Sequence, residues 1–210
     1  MKTNTRNILI KSAVALALAA PMLANAESQF TTGAGSPITA TAHLDFQITI
    51  PKVLFLQVGT GTAGGNNATV NQIAFTVPGA NLGDSSVINA SVASGDLGNG
   101  TVTAKVIGNN GTITFTSTTA GPLGNGAGDT ISFAQIATAV ATLTSATALA
   151  HPALADGATT TVTLTPAVGK VINRDAKWTY TYLNQNVVPP GTYGGVNTNN
   201  SRVTYTASMP

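Results

Sequence analysis

Residues 38–50, ITATAHLDFQITI, alternate in polarity without a break. Ile38, Ala40, Ala42, Leu44, Phe46, Ile48 and Ile50 share one face, and Thr39, Thr41, His43, Asp45, Gln47 and Thr49 share the other. Successive side chains of a strand point to opposite faces. A period of two held over thirteen residues therefore specifies a half-buried strand. Pro51 ends the run, because it has no N–H to give to a ladder.

Shorter runs of the same kind follow at 53–58, 70–77, 87–92, 101–107, 112–117, 130–133, 160–164, 176–183 and 202–208. Clusters of Gly, Asn, Asp and Pro separate them at 59–67, 78–84, 95–100, 108–111, 121–129 and 189–200. Short strands at this spacing predict an all-β fold, an antiparallel sandwich or barrel. Asn109-Asn110-Gly111 stands between two Thr-rich alternating runs and predicts a tight hairpin, since Asn and Gly accept the positive φ of a primed turn. Residues 133–155 fit least. They are Ala-rich and read as a crossing connection with room for one short helix in the 134–143 region, weakened by β-branched Thr.

Composition narrows the classes. Charged residues are 8%, Glu occurs once, at Glu27, and Cys is absent. A coiled coil or helical bundle needs far more Glu and Lys on its exposed faces. A disulfide scaffold and a Cys-based zinc site are excluded outright. Hydrophobic residues reach 43%, enough to argue against charge-driven disorder.

The first 26 residues read as a secretory signal peptide. Lys2, Arg6 and Lys11 make a basic start, 12–20 (SAVALALAA) is a short apolar core, and Ala24-Asn25-Ala26 is an A-x-A cleavage site. The core is about half of the roughly 20 apolar residues that a membrane span requires. Cleavage leaves residues 27–210 as a single sandwich domain with an N-terminal arm, 27–44. It also leaves six basic against seven acidic residues, a net charge of −1. The remaining basic residues are scattered and not interleaved with aromatics, so nucleic acid is not an expected partner. The expected location is outside the cell or on the surface of a bacterium, reached through the periplasm.

Candidate chemistry is sparse. Gly59-Thr60-Gly61-Thr62-Ala63-Gly64 matches G-x-G-x-x-G, but a dinucleotide site needs a helix to start there, and a second alternating run follows instead. His43 and Asp45 share a strand face without a G-x-S-x-G nucleophile elbow, so a surface pair is expected rather than a catalytic one. His151 has no ligand nearby in sequence. Asp84, Asp96, Asp129 and Asp156 each adjoin Gly and read as turn residues. No catalytic residue, metal ligand or cofactor site is expected. Trp178, Tyr180 and Tyr182 fall on one strand face, where they are either a sugar-stacking platform or core anchors. The scarcity of large aromatics favours the core, and Phe46 and Tyr205 are expected there with them.

Three blocks carry a resemblance: LDFQITIPKVLFLQVG (44–59), AKWTYTYLN (176–184) and PPGTYGGVNTNNSRVTYTASMP (189–210). They resemble a family of uncharacterised exported bacterial β-proteins over most of the mature chain. The layout is also similar to cysteine-free fimbrial major subunits of the colonisation-factor type. Those have an alternating N-terminal arm and end in a GxYxGxVxxT-like pair of strands. Gly191-Thr192-Tyr193-Gly194-Gly195 and Arg202-Val203-Thr204-Tyr205-Thr206 occupy that place here, with a longer loop at 196–201 between them. The resemblance implies an incomplete immunoglobulin-like sandwich, finished by the arm of the next subunit in a pilus.

The length of the first alternating run bears on the same point. Thirteen residues extend roughly 43 Å at about 3.3 Å each, against about 17–20 Å for an ordinary strand. Two arrangements accommodate such a stripe. Its first half, with Ile38, Ala40, Ala42 and Leu44, adds to a sheet edge of another subunit, with the Gly-rich 33–37 as a pliable lead. Alternatively, the strand bends and switches sheets within its own domain. The competing functions, in order, are a non-enzymatic structural subunit of an extracellular fibre, a carbohydrate-binding or other surface module, and a secreted enzyme. The expected partners are further copies of the chain, with an export chaperone left open and no membrane span after cleavage.

Overall fold

The computed structural model describes residues 28–210, so the expected leader, 1–26, lies outside the described residues. The chain divides into a unit that ends at Ile50 and a second unit, Pro51–Pro210.

The second unit is an antiparallel β-sandwich. Its strands are β1 (Leu54–Val58), β2 (Ile88–Asn89), β3 (Thr101–Gly108), β4 (Ile113–Thr119), β5 (Leu123–Gly124), β6 (Thr130–Ile131), β7 (Ile136–Ala141), β8 (Thr159–Leu164), β9 (Ile172–Tyr182) and β10 (Val203–Ser208). β9 is the centre of the larger sheet. Residues 177–179 pair with β3 on one edge and with β7 on the other, so β3 and β7 flank it. β2 meets β9 at residues 181–182, and β1 closes the sheet beyond β3. The smaller sheet has the order β10-β4-β8, and β5 and β6 form a separate two-stranded ribbon.

Alternation explains the core. β3 buries Val102, Ala104 and Val106, β4 buries Ile113 and Phe115, and β9 buries Ile172, Ala176, Trp178, Tyr180 and Tyr182. Ala104 and Ala176 are register partners, and both are fully buried. Trp178 is fully buried, with its ring 6.0 Å from that of Phe115 in the opposite sheet and its indole N–H donated to the Leu149 carbonyl at 2.8 Å. Burying a side chain of this size, with its one polar atom satisfied, is among the larger single contributions available to a small core.

Asp175 organises the segment after β7. Its carboxylate accepts the backbone N–H groups of Thr144 and Ser145, each at 2.8 Å, and the hydroxyl of Thr144. The chain turns there, and Leu149 then donates its N–H to the Asp175 carbonyl and lies in the core. Burial works against the carboxylate charge, but the hydrogen bonds from Thr144 and Ser145 outweigh it and hold the group well below the usual carboxylate range. Lys105 approaches it at 3.8 Å.

Several expectations need correcting. Asn109-Asn110-Gly111 does not close a hairpin, because β3 and β4 belong to different sheets. Alternation specifies which residues face inward. It does not say whether two runs lie side by side or face to face across a core. Here Asn109 is tied to the start of β1: its side-chain oxygen accepts the Val53 N–H at 2.8 Å, and its amide donates to the Pro51 carbonyl at 2.7 Å. A Cβ at Gly108 would stand 2.7 Å from Ile113 Cδ1, so a larger residue there would force the Ile113 side chain to move. The 134–143 region holds a single 3-10 turn, Phe133–Gln135, followed by strand β7. Ile136, Thr138 and Val140 are β-branched, and the free edge of β9 offered them six ladder pairs. Residues 70–77 contribute only a bridge from Phe75 to Ala90.

Residues 38–50 form no strand, and their apolar side chains are exposed. Phe46 was expected as a core anchor and is 84% exposed. A strand needs an edge to pair with, and its side-chain pattern alone cannot supply one. Closer to the leader the unit bends at 34–37: the Thr31 hydroxyl donates to the Thr39 carbonyl at 3.2 Å, and Thr41 N–H donates to the Gln29 side chain at 2.8 Å.

Candidate functional site

The alternating segment and the open side of the sandwich are the features that ordinary folding leaves unspent. β1 and β10 are terminal strands of their respective sheets and approach each other at one side of the sandwich. Among the described residues β10 pairs only with β4, along 203–208, and β1 only with β3. Both therefore carry an outward row of backbone N–H and C=O groups. Leu56 and Val58 of β1, with Tyr205, Ala207 and Met209 on and after β10, are half-buried against the core between these two edges. Their own side of the sandwich does not finish covering them.

The segment 38–50 has complementary properties. Leu44 is 76% exposed, and Phe46, Ile48 and Ile50 are exposed to a similar degree. Ile38, Ala40 and Ala42 are exposed as well, so the four sequence-derived donor positions and three further apolar residues of the same alternating run are all exposed. So many exposed apolar side chains in one short segment are unusual in a monomeric domain.

Beneath β10 lies a partly buried polar triangle. His151 Nε2 is hydrogen-bonded to the Tyr205 hydroxyl at 2.7 Å and the Tyr180 hydroxyl at 3.1 Å, and the two hydroxyls are 3.0 Å apart. The imidazole stands edge-on to Trp178, with centroids 4.6 Å apart. Burial pulls the His151 imidazole down to about 4 and pushes the Tyr180 phenol up to about 12, with Tyr205 also well raised. All three groups are neutral at pH 7. The triangle fastens β10 and β9 to the 142–158 connection. The sequence offered no signal for it, because its members are 25 to 54 residues apart.

Trp178, Tyr180 and Tyr182 are core residues, which removes the flat platform that a sugar would stack on. Tyr205 is half-buried against the same core. Gly59-Thr60-Gly61-Thr62-Ala63-Gly64 is a loop drawn in by the Gln57 amide, which donates to the carbonyls of Gly59 and Gly61. No helix begins there. His43 and Asp45 lie in the exposed segment. Asp84 and Asp129 accept local turn donors, from Ser86 and Asn125 respectively, and Asp84 also accepts from the Asn184 amide at 3.2 Å, while Asp96 and Asp156 accept N–H groups from Thr103 and Phe133. Two surface clefts, of about 270 Å³ beside residues 197–202 and about 90 Å³ beside β1, carry one titratable side chain between them, Arg202.

Set against known proteins, the chain matches no family model, no curated sequence and no solved structure.

Proposed function

We propose that the protein is a structural, non-enzymatic subunit of an extracellular fibre, exported with cleavage after Ala26 and assembled by β-strand addition. The observation that carries this reading is the pairing of an exposed alternating apolar segment with an open sandwich edge. Among the described residues, 38–50 have the pattern of a half-buried strand and no ladder, while β10 and β1 have outer edges without a ladder partner flanking half-buried apolar side chains. Strand addition satisfies both: main-chain hydrogen bonds go to the edge, and alternate side chains go into the groove.

Ile38, Ala40, Ala42 and Leu44 enter the groove of the next subunit in this reading, and Phe46 joins the same stripe. The contact is head-to-tail, so it repeats and gives a filament rather than a closed dimer. The resemblance to colonisation-factor fimbrial subunits points the same way, and the composition suits it, since a fibre without Cys depends on β-pairing and burial. The experiment is Ala42→Asp, judged by filament length in electron micrographs. A carboxylate facing an apolar groove costs several kcal/mol, so assembly should stop while the sandwich, residues 51–210, keeps its melting temperature. Filaments of normal length from this variant would remove Ala42 from the interface and the strand-addition reading with it.

A further inference from the structure

The outer face of the smaller sheet carries a regular array of hydroxyl groups. Thr114, Thr116 and Thr118 of β4 lie in register with Thr163, Thr161 and Thr159 of β8. On the other side Ser208, Thr206 and Thr204 of β10 lie in register with the same three residues of β4. The array is three strands wide and three rows deep, with eight Thr and one Ser, and it contains no charged and no purely apolar side chain. All of β8's and β10's members are exposed, and the central strand's are exposed or half-exposed.

This absence of charge belongs to one face. The outer side of the larger sheet carries Lys105 and Lys177. Edge strands ordinarily hold charged residues that keep sheets apart, yet β8 and β10 present hydroxyls at every outward position. The groups are also held still. Thr is stiff at χ1 because it is branched at Cβ, and the Thr118 and Thr159 hydroxyls are bonded to each other at 2.8 Å.

Sheet geometry fixes the repeat. Neighbouring strands stand about 4.8 Å apart, and every second residue along a strand recurs at about 6.7 Å. These lengths are close to the two oxygen repeats on a prism face of ice. The Thr118 and Thr159 hydroxyls bond to each other and the Thr116 hydroxyl donates to the Thr206 carbonyl at 3.4 Å, but every hydroxyl oxygen of the array keeps a lone pair that can accept from a lattice water, and each Thr methyl orders the water beside it. Sheet twist turns each strand by roughly 20–25° against the next, which confines the match to a narrow patch such as these three strands.

We propose that this Thr face binds the surface of crystalline water. The face is neutral, and its occupant is a neutral, hydrogen-bonding lattice of the same period. The proposal does not depend on the fibre reading, since the array lies on the sheet's face and strand addition uses its edge.

The test is partition into a slowly growing ice front, using the exported chain in dilute solution beside an inert protein of similar size. The wild type should be enriched in the ice. Thr116→Tyr, at the centre of the array, should fall to the level of the inert protein with an unchanged thermal melt. Lys177→Tyr, on the other sheet, should behave as wild type. If Thr116→Tyr fails to fold, Thr161→Tyr on the edge strand β8 is read in its place. Wild-type exclusion equal to the inert protein overturns the proposal. So does enrichment that survives both Thr variants, or that Lys177→Tyr abolishes equally. A Thr116→Tyr variant that changes only the size distribution in solution would make the face a contact between copies and would also overturn it.

Discussion

His151 in the connection before β8 and Tyr205 in β10 are joined at 2.7 Å beneath the open edge of the sandwich. Burial disfavours a proton on this imidazole, because the side chains packed around it, Trp178, Tyr180 and Tyr205, carry no charge that would offset the lost hydration.

A pH dependence follows. The imidazole is held at about 4 in the folded chain, against 6.5 when unfolded. The unfolded state therefore binds the extra proton first, and the stabilisation is complete above about 6.5 and lost as pH falls toward 4. The full shift corresponds to roughly 3 kcal/mol at most. Urea midpoints should drop between pH 7 and pH 4 in the wild type. The drop should be much smaller in His151→Gln, which cannot take up the proton. Equal pH slopes in the two proteins would contradict the buried, neutral histidine.

Trp178 is the largest fully buried side chain. Trp178→Ala should destabilise the sandwich by about 3–5 kcal/mol through lost transfer energy and the cavity left behind. The Leu149 carbonyl would also lose its donor. A thermal melt of both proteins checks this, and a loss below about 1 kcal/mol would contradict the core position.

Asp175→Ala should cost about 2–4 kcal/mol, since it strips the hydrogen-bond acceptor from the Thr144 and Ser145 N–H groups. Asp175→Asn keeps one side-chain oxygen and should cost less. Hydrogen exchange should show 142–149 opening in the Ala variant before the sheets do. A global loss with no local opening would mean that Asp175 acts elsewhere.

The strands that could be read from sequence are those whose alternation is matched by a partner within the sandwich. The runs at 101–107, 160–164 and 202–208 correspond to β3, β8 and β10 within a residue or two. Periodicity specifies faces and says little about neighbours, which is why 38–50 reads as a half-buried strand and the runs that form β3 and β4 read as a hairpin. Propensity misled at 134–143: Ala content suggested a helical turn or two, and an available edge on β9 drew the β-branched residues into a ladder. His151 was set aside because its two phenol partners are distant in sequence and meet only through packing. The Thr face was visible as three separate T-x-T runs, but its rows exist only once the register of β10, β4 and β8 is fixed.

Export should be visible as a mass. The A-x-A site at 24–26 predicts a mature chain that starts at Glu27. Intact-mass measurement of secreted protein checks it, and retention of residues 1–26 would contradict the secretory reading.

The central claim is that residues 38–50 are a strand in waiting for another subunit. Sedimentation velocity over a range of concentrations, on the mature chain and on residues 51–210 alone, tests it most directly. The account predicts that the mature chain grows into long head-to-tail species confirmed as filaments by negative-stain microscopy. Residues 51–210, which form the sandwich core by themselves, should remain folded and fail to grow. A mature chain that sediments as a single monomer at every concentration, with a truncated form that unfolds, would contradict it and return the segment to its own domain.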